Sequence, residues 1–129
     1  MSLNDPIADA LNAINNAESV AKQTCALNYS KFLEGILIVL RDQGYIKQYK
    51  IINKRPVRQL IIYLDGKINK CKAIKPRYAV KKDEFEKFEK SYLISRDIGL
   101  LIVSTTSGLM THNDAKTKGL GGRLVAYVY

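Results

Sequence analysis

A chain of 129 residues is long enough for one domain or two small lobes, and it can bury roughly two-thirds of its unfolded surface without disulfide or metal staples. At 47% hydrophobic residues it is too apolar for a disordered segment, while its longest apolar runs, Gly35–Leu40 and Ile98–Val103, fall far short of a membrane span. The 21 basic residues against 12 acidic ones give a net charge of +9, which points to a polyanionic partner.

In chain order, Asp5-Pro6 opens a helix, since Asp caps well and Pro is tolerated at the first helical position. Ile7, Ala10, Leu11 and Ile14 recur at helical spacing, and the weak helix formers Asn15-Asn16 predict fraying there. A short strand is expected around Thr24–Leu27. Ser30 then caps a second helix with an apolar stripe of Phe32, Leu33, Ile36, Leu37 and Leu40, ended by Gly44. The period changes to two over Tyr45–Asn53 and Val57–Leu64, joined by a turn at Asn53–Pro56. Asp65-Gly66 marks another turn, and Lys67–Lys82 is basic and irregular or extended. Asp83–Lys90 predicts a short helix with Phe85 and Phe88 on one face and its charges in solvent. Gly99–Ser104 is a buried strand. Thr111 caps a helix that stops at Gly119, and Leu124–Tyr129 is a last strand. The fold class is α+β. An N-terminal lobe over residues 1–65 sets two helices on a three-stranded sheet, and residues 66–129 form a mostly-β lobe with short helices.

The positive charge is not evenly spread. Between Asp65 and Asp83 stand Lys67, Lys70, Lys72, Lys75, Arg77, Lys81 and Lys82 with no acid among them, and Lys47, Lys50, Lys54, Arg55 and Arg58 precede them. A solvated lysine face accounts for any one of these. A whole unneutralised segment fits nucleic acid, and it lacks the aromatic-and-leucine face of a membrane-surface helix. The N-terminus has no basic region of a secretory signal. Cys25 and Cys71 form no CxxC, and with His112 as the sole histidine a four-ligand zinc site within the chain is not available. Two free buried thiols in a reducing compartment are the expectation.

Catalytic patterns are lacking. There is no nucleophile elbow, HExxH or glycine-rich phosphate loop, and Gly119–Gly122 precedes a strand rather than a helix. His112 with Asp114 could serve an acid–base enzyme, but no triad partner follows in sequence, and a surface or cap-adjacent histidine is expected. The chain is expected to have no enzymatic activity, cofactor or small-molecule substrate. What stands out is Ser104, Thr105, Thr106 and Ser107, followed by Gly108. Hydroxyls at a strand-to-helix junction cap backbone groups, and one or two suffice for that. Four can both donate and accept toward phosphates, base edges and ribose 2′-OH groups, so the cluster is a candidate docking patch for structured RNA.

The segment Gly99–Thr111, followed by Ala115-Lys116 and Gly121–Val128, closely resembles the C-terminal signature of the universal small-subunit ribosomal protein eight family. Asp5–Leu11 with Asn16-Ala17, Ser30-Lys31 and Gly44–Ile46 match it in order, so the resemblance covers essentially the whole chain. Gly66–Cys71, Phe85–Lys90, the lysine richness and the ending AYVY resemble its archaeal and eukaryotic branch, leaning archaeal. The resemblance implies a cytoplasmic, ribosomal protein that is a primary binder of the central domain of small-subunit rRNA, with an early assembly role beside neighbouring small-subunit proteins. It implies that Ser104, Thr105 and Thr106, with Ser107, Gly122 and Arg123 close by, enter an RNA minor groove. It also carries Ser30, Lys31 and Asn16 to a second RNA helix, and Arg77 and Tyr78 to an aromatic-bearing basic stretch. The chain departs from the bacterial pattern at Thr106, Ser107, Arg123 and Asn28-Tyr29, but keeps the hydroxyl count. An alternative role is translational repression through its own messenger RNA imitating the ribosomal site, which the same surface would serve.

Overall fold

The computed structural model describes residues 6–54, 57–74, 78–93 and 99–129. The chain divides into two compact units, Met1–Asn69 and Lys70–Tyr129. The expected Asp5 cap and the tip of the expected turn, Arg55-Pro56, lie outside the described residues.

In the first unit, α1 (Pro6–Ser19), β1 (Thr24–Asn28), α2 (Lys31–Asp42), β2 (Ile46–Lys54) and β3 (Val57–Leu64) form two helices and a three-stranded antiparallel sheet of order β1-β3-β2. Helix α1 continues past the expected fraying point. Ala17, 6% exposed, packs with Ile7, Ala10, Leu11 and Ile14, and this burial outweighs the weak propensity of the two asparagines. The helix ends when Lys22 N–H donates to Ala17 O and Ala21 N–H to Glu18 O, with Ala21 at φ 58°. Helix α2 starts as expected: Ser30 Oγ accepts from Leu33 N–H at 3.1 Å. It stops at Gly44 (φ 83°), where Tyr45 N–H reaches Leu40 O. Leu60, Ile62 and Leu64 of β3 are buried, alternating with half-buried Ile61 and Tyr63, as a sheet covered on one face requires. The Glu18 carboxylate accepts from Ile68 N–H at 2.9 Å and ties the chain beyond β3 to α1.

The second unit contains β4 (Cys71–Ala73), β5 (Ala79–Val80), α3 (Phe85–Tyr92), β6 (Leu100–Thr105), β7 (Gly108–Thr111), α4 (His112–Lys118) and β8 (Gly122–Val128). Its antiparallel sheet runs β4-β8-β6-β7, with β5 also paired to β8. Leu101, Val103, Met110 and Leu124 form a core with Phe85, Val80 and Ala115. Thr111 caps α4 as predicted, accepting from Asp114 N–H at 3.1 Å, and Gly119 ends it at φ 69°. Strand β7 is an addition to the predicted elements. Cys71 is buried as expected, whereas Cys25 is a free thiol that is only half-buried, because β1 is an edge strand.

Candidate nucleic-acid interface

The hydroxyl cluster does not lie at a strand-to-helix junction. It forms the end of a tight hairpin, with Thr105 paired to Gly108 and Thr106-Ser107 as the two-residue turn. Thr105 closes that turn. Its hydroxyl donates to Gly108 O at 2.9 Å and accepts from Ser107 N–H at 3.1 Å, which uses its proton and one lone pair. Gly108 supplies φ 111°, which side-chain-bearing residues rarely adopt. Thr106 and Ser107 are exposed at the tip, and Ser104 is half-buried one step back along β6.

Strand pairing brings further predicted residues to the same end of the sheet. Ser104 pairs with Leu109 on one side and with Arg123 on the other, and Arg123 pairs with Ala79. Directly opposed residues share a face, so Ala79, Arg123, Ser104 and Leu109 form a row across four strands that ends beside the tip. Arg123 is exposed. Tyr78, one residue before that row, is 41% exposed, and its ring lies 5.6 Å from that of Phe88. Its carbonyl accepts from Leu124 N–H at 3.0 Å, which anchors it next to Arg123. Arg77 lies outside the described residues. Gly122 has a packing reason of its own. A Cβ there would stand 2.2 Å from Ser104 O, and one at Gly121 would stand 2.6 Å from Val80 O, so β8 fits between β6 and β5 only with both side chains absent.

The charge of the second unit favours an anionic partner. Residues Lys70–Tyr129 carry 12 basic and 6 acidic side chains, and none of the five strands bears an acid. Lys72, Lys81 and Lys82 are exposed.

Ser30, Lys31 and Asn16 belong to the first unit. Ser30 spends its hydroxyl on the α2 cap, beside the exposed Lys31. Asn16 lies on the exposed flank of α1. Next to Lys31 the structure shows a clasp that sequence reasoning did not anticipate. Tyr29 Oη donates to Glu34 Oε1 at 3.0 Å, Tyr49 Oη donates to Glu34 Oε2 at 2.9 Å, and the Arg58 guanidinium lies 4.0 Å from the Tyr29 ring centre. The hydrogen bond to Glu34 pushes the Tyr29 hydroxyl above its ordinary pKa. The clasp fixes the first turn of α2 against the start of the sheet.

His112 corrects the expectation of a surface histidine. It is fully buried, with Nδ1 accepting from Leu101 N–H at 3.0 Å, so the neutral ring carries its proton on Nε2. Nε2 lies 3.1 Å from Glu89 Oε1 without forming an aligned hydrogen bond. Burial lowers the His112 pKa, Glu89 opposes the shift and Lys116 adds to it. Glu89, 4% exposed, is also paired with Lys116, which corrects the expectation that the charges of α3 are all in solvent. One signal was visible: Glu89 stands four residues after Phe85, on the buried side of α3. The trio ties α3 to α4 and to β6, below the hairpin.

A basic α+β protein with a hydroxyl-tipped hairpin on an acid-free sheet has the charge and the polar groups that suit a polyanionic partner. Residues 5–129 match the family model described as Ribosomal protein S8, and the chain belongs to that family. It is therefore a small-subunit ribosomal protein, from a family of structural rather than enzymatic proteins that bind small-subunit rRNA and other ribosomal proteins. The family places it on the ribosome in the cytoplasm. Among the described residues, no helix is long and apolar enough to cross a membrane.

Proposed function

We propose that the protein is a primary binder of the central domain of small-subunit rRNA and acts early in assembly. The observation that carries this reading is the β6–β7 tip. It presents the free hydroxyls of Thr106 and Ser107 on a turn locked by Thr105, with Arg123 and Tyr78 beside it and no acid in the sheet. Hydroxyls suit the shallow minor groove of A-form RNA, where 2′-OH groups and base edges are accessible. Arg123 and the lysines would neutralise phosphates and set orientation. Gly122 acts indirectly, by letting β8 approach Ser104 closely enough to place Arg123. Lys31, on the α2 turn held by the tyrosine clasp, supplies a second contact, with Ser30 shaping its backbone and Arg77 extending the basic stretch.

A hydroxyl-radical footprint on small-subunit RNA tests this. Protection confined to a central-domain helix, weakened by Thr106→Ala with Ser107→Ala, is the expected result. An unchanged footprint would remove the tip from the interface. The same surface would hold a messenger RNA that imitated the site, and protection of the encoding transcript in extract tests that second role.

A further inference from the structure

Among the described residues, strand β1 is an edge, paired only with β3. Gln23 O accepts from Leu64 N–H, and Tyr29 N–H donates to Arg58 O. By the alternation of an antiparallel ladder, residues 23, 25, 27 and 29 therefore turn their amides toward β3. Thr24, Ala26 and Asn28 then direct N–H and C=O outward, and no described residue hydrogen-bonds them. The opposite edge, β2, is blunted in the usual ways: it carries Lys47, Lys50 and Lys54 and a register shift between Ile46 and Gln48. Strand β1, Thr-Cys-Ala-Leu-Asn, has neither charge nor proline.

A groove runs along this open edge. Near its start lies a cavity of about 380 Å³ between Ala13, Asn16 and Val20 of the α1 flank and Thr24–Ala26. Near its end lies a second of about 350 Å³ between Ile7, Asp9 and Ala10 and Leu27-Asn28. Val20 is 64% exposed on the rim. Lys22 stands at one mouth and Asp9 at the other.

We infer that the α1–β1 groove is a docking site for an extended polypeptide segment of a neighbouring ribosomal protein, which adds a strand to the β1 edge. Three outward N–H and C=O pairs at strand spacing match the ladder of another strand. The apolar cavities would take its alternate side chains. Asp9 and the apolar lining disfavour an RNA phosphate chain. The opposite charges at the two mouths favour one direction, with a basic residue of the segment at Asp9 and an acidic one at Lys22. This inference rests on the ribosomal role proposed above.

Hydrogen exchange of the Thr24–Asn28 amides tests it in three states: the protein alone, bound to a small-subunit RNA transcript, and in a subunit reconstituted with the full set of small-subunit proteins. The expected result is exchange at least tenfold slower in the third state only. Equal exchange in the second and third states overturns the inference, whether RNA covers the edge or nothing does. Ala26→Pro removes an outward N–H without touching the β3 ladder. It should bind the transcript within twofold of the unsubstituted protein and lose the protection at Thr24 and Asn28. Should the proline disturb folding, Ala13→Arg blocks the groove from the helix side and should lose the same protection. Protection surviving in a folded variant overturns the inference. Failure of the unsubstituted protein to bind the transcript would overturn the proposed function and this inference with it, whereas an unprotected edge in a complete subunit overturns this inference alone.

Discussion

Thr105 and Thr106 are neighbours of identical chemistry with different tasks. Thr105 holds the turn through two bonds to its own main chain, while Thr106 faces solvent. Thr106→Ala should leave stability within about 0.5 kcal/mol and weaken RNA binding by about 1–2 kcal/mol. Thr105→Ala should cost about 1 kcal/mol of stability as well, with Thr105→Ser restoring it, since the hydroxyl is what the turn requires. Denaturant titration and RNA binding at fixed salt separate the two. The four hydroxyls were conspicuous in the sequence, but which one would be consumed by the turn was not, because that depends on the pairing register of β6 and β7. His112 was misjudged for a related reason. Its partner Glu89 lies 23 residues earlier, and only the folded chain brings them together. Because the folded state resists protonation of His112, its contribution to stability is complete above the ordinary pKa of 6.5 and is lost as pH falls below it. Unfolding midpoints between about pH 8 and 5.5 should fall on the acid side. His112→Gln should show a smaller fall over the same interval, whatever its absolute stability.

At the scale of elements, three helices end with the same pattern of crossed hydrogen bonds. Gly44 and Gly119 occupy the left-handed position after α2 and α4, but Ala21 occupies it after α1. The left-handed conformation costs alanine about 1–2 kcal/mol, and glycine loses up to about 1 kcal/mol more entropy on folding. Ala21→Gly should therefore raise stability by about 0.5 kcal/mol, measured by chemical denaturation. At Gly122 the balance is reversed. Its side-chain position is filled by a backbone carbonyl, which cannot swing aside, so Gly122→Ala should destabilise the second unit by more than about 2 kcal/mol. Loss of slow-exchanging amides in β6 and β8 would show the separation. The helices were legible from caps, stops and apolar spacing, and so were β2, β3 and β6. Strands β4, β5 and β7 were not. They have two to four residues each, too few to display a period, and they exist because β8 or β6 pairs with them. The turn of β7 also lacks the Asn-Gly signature of a two-residue hairpin.

Over the whole molecule, charge and geometry divide the work of binding. Long-range attraction comes from the lysines, and their contribution is released as counterions. Lys72→Ala and Lys81→Ala should each lower the slope of log affinity against log salt by about 1, while Thr106→Ala should leave the slope unchanged. A polyanionic partner was legible from the sum of charges alone. That the strands of one sheet are free of acid was also written in the residues, but it acquires meaning only once those strands lie side by side.

Strand β8 joins three others: β4, β5 and β6. Cys71 in β4 meets Val128, with more than 50 residues between them, whereas β2 and β3 are separated by only two residues in sequence. Closing such distant pairs is entropically slow. During vectorial synthesis, the nascent first unit can therefore mature while β4 and β5 still await a partner. A chaperone that engages this chain would meet the sticky, unzipped second sheet rather than the first.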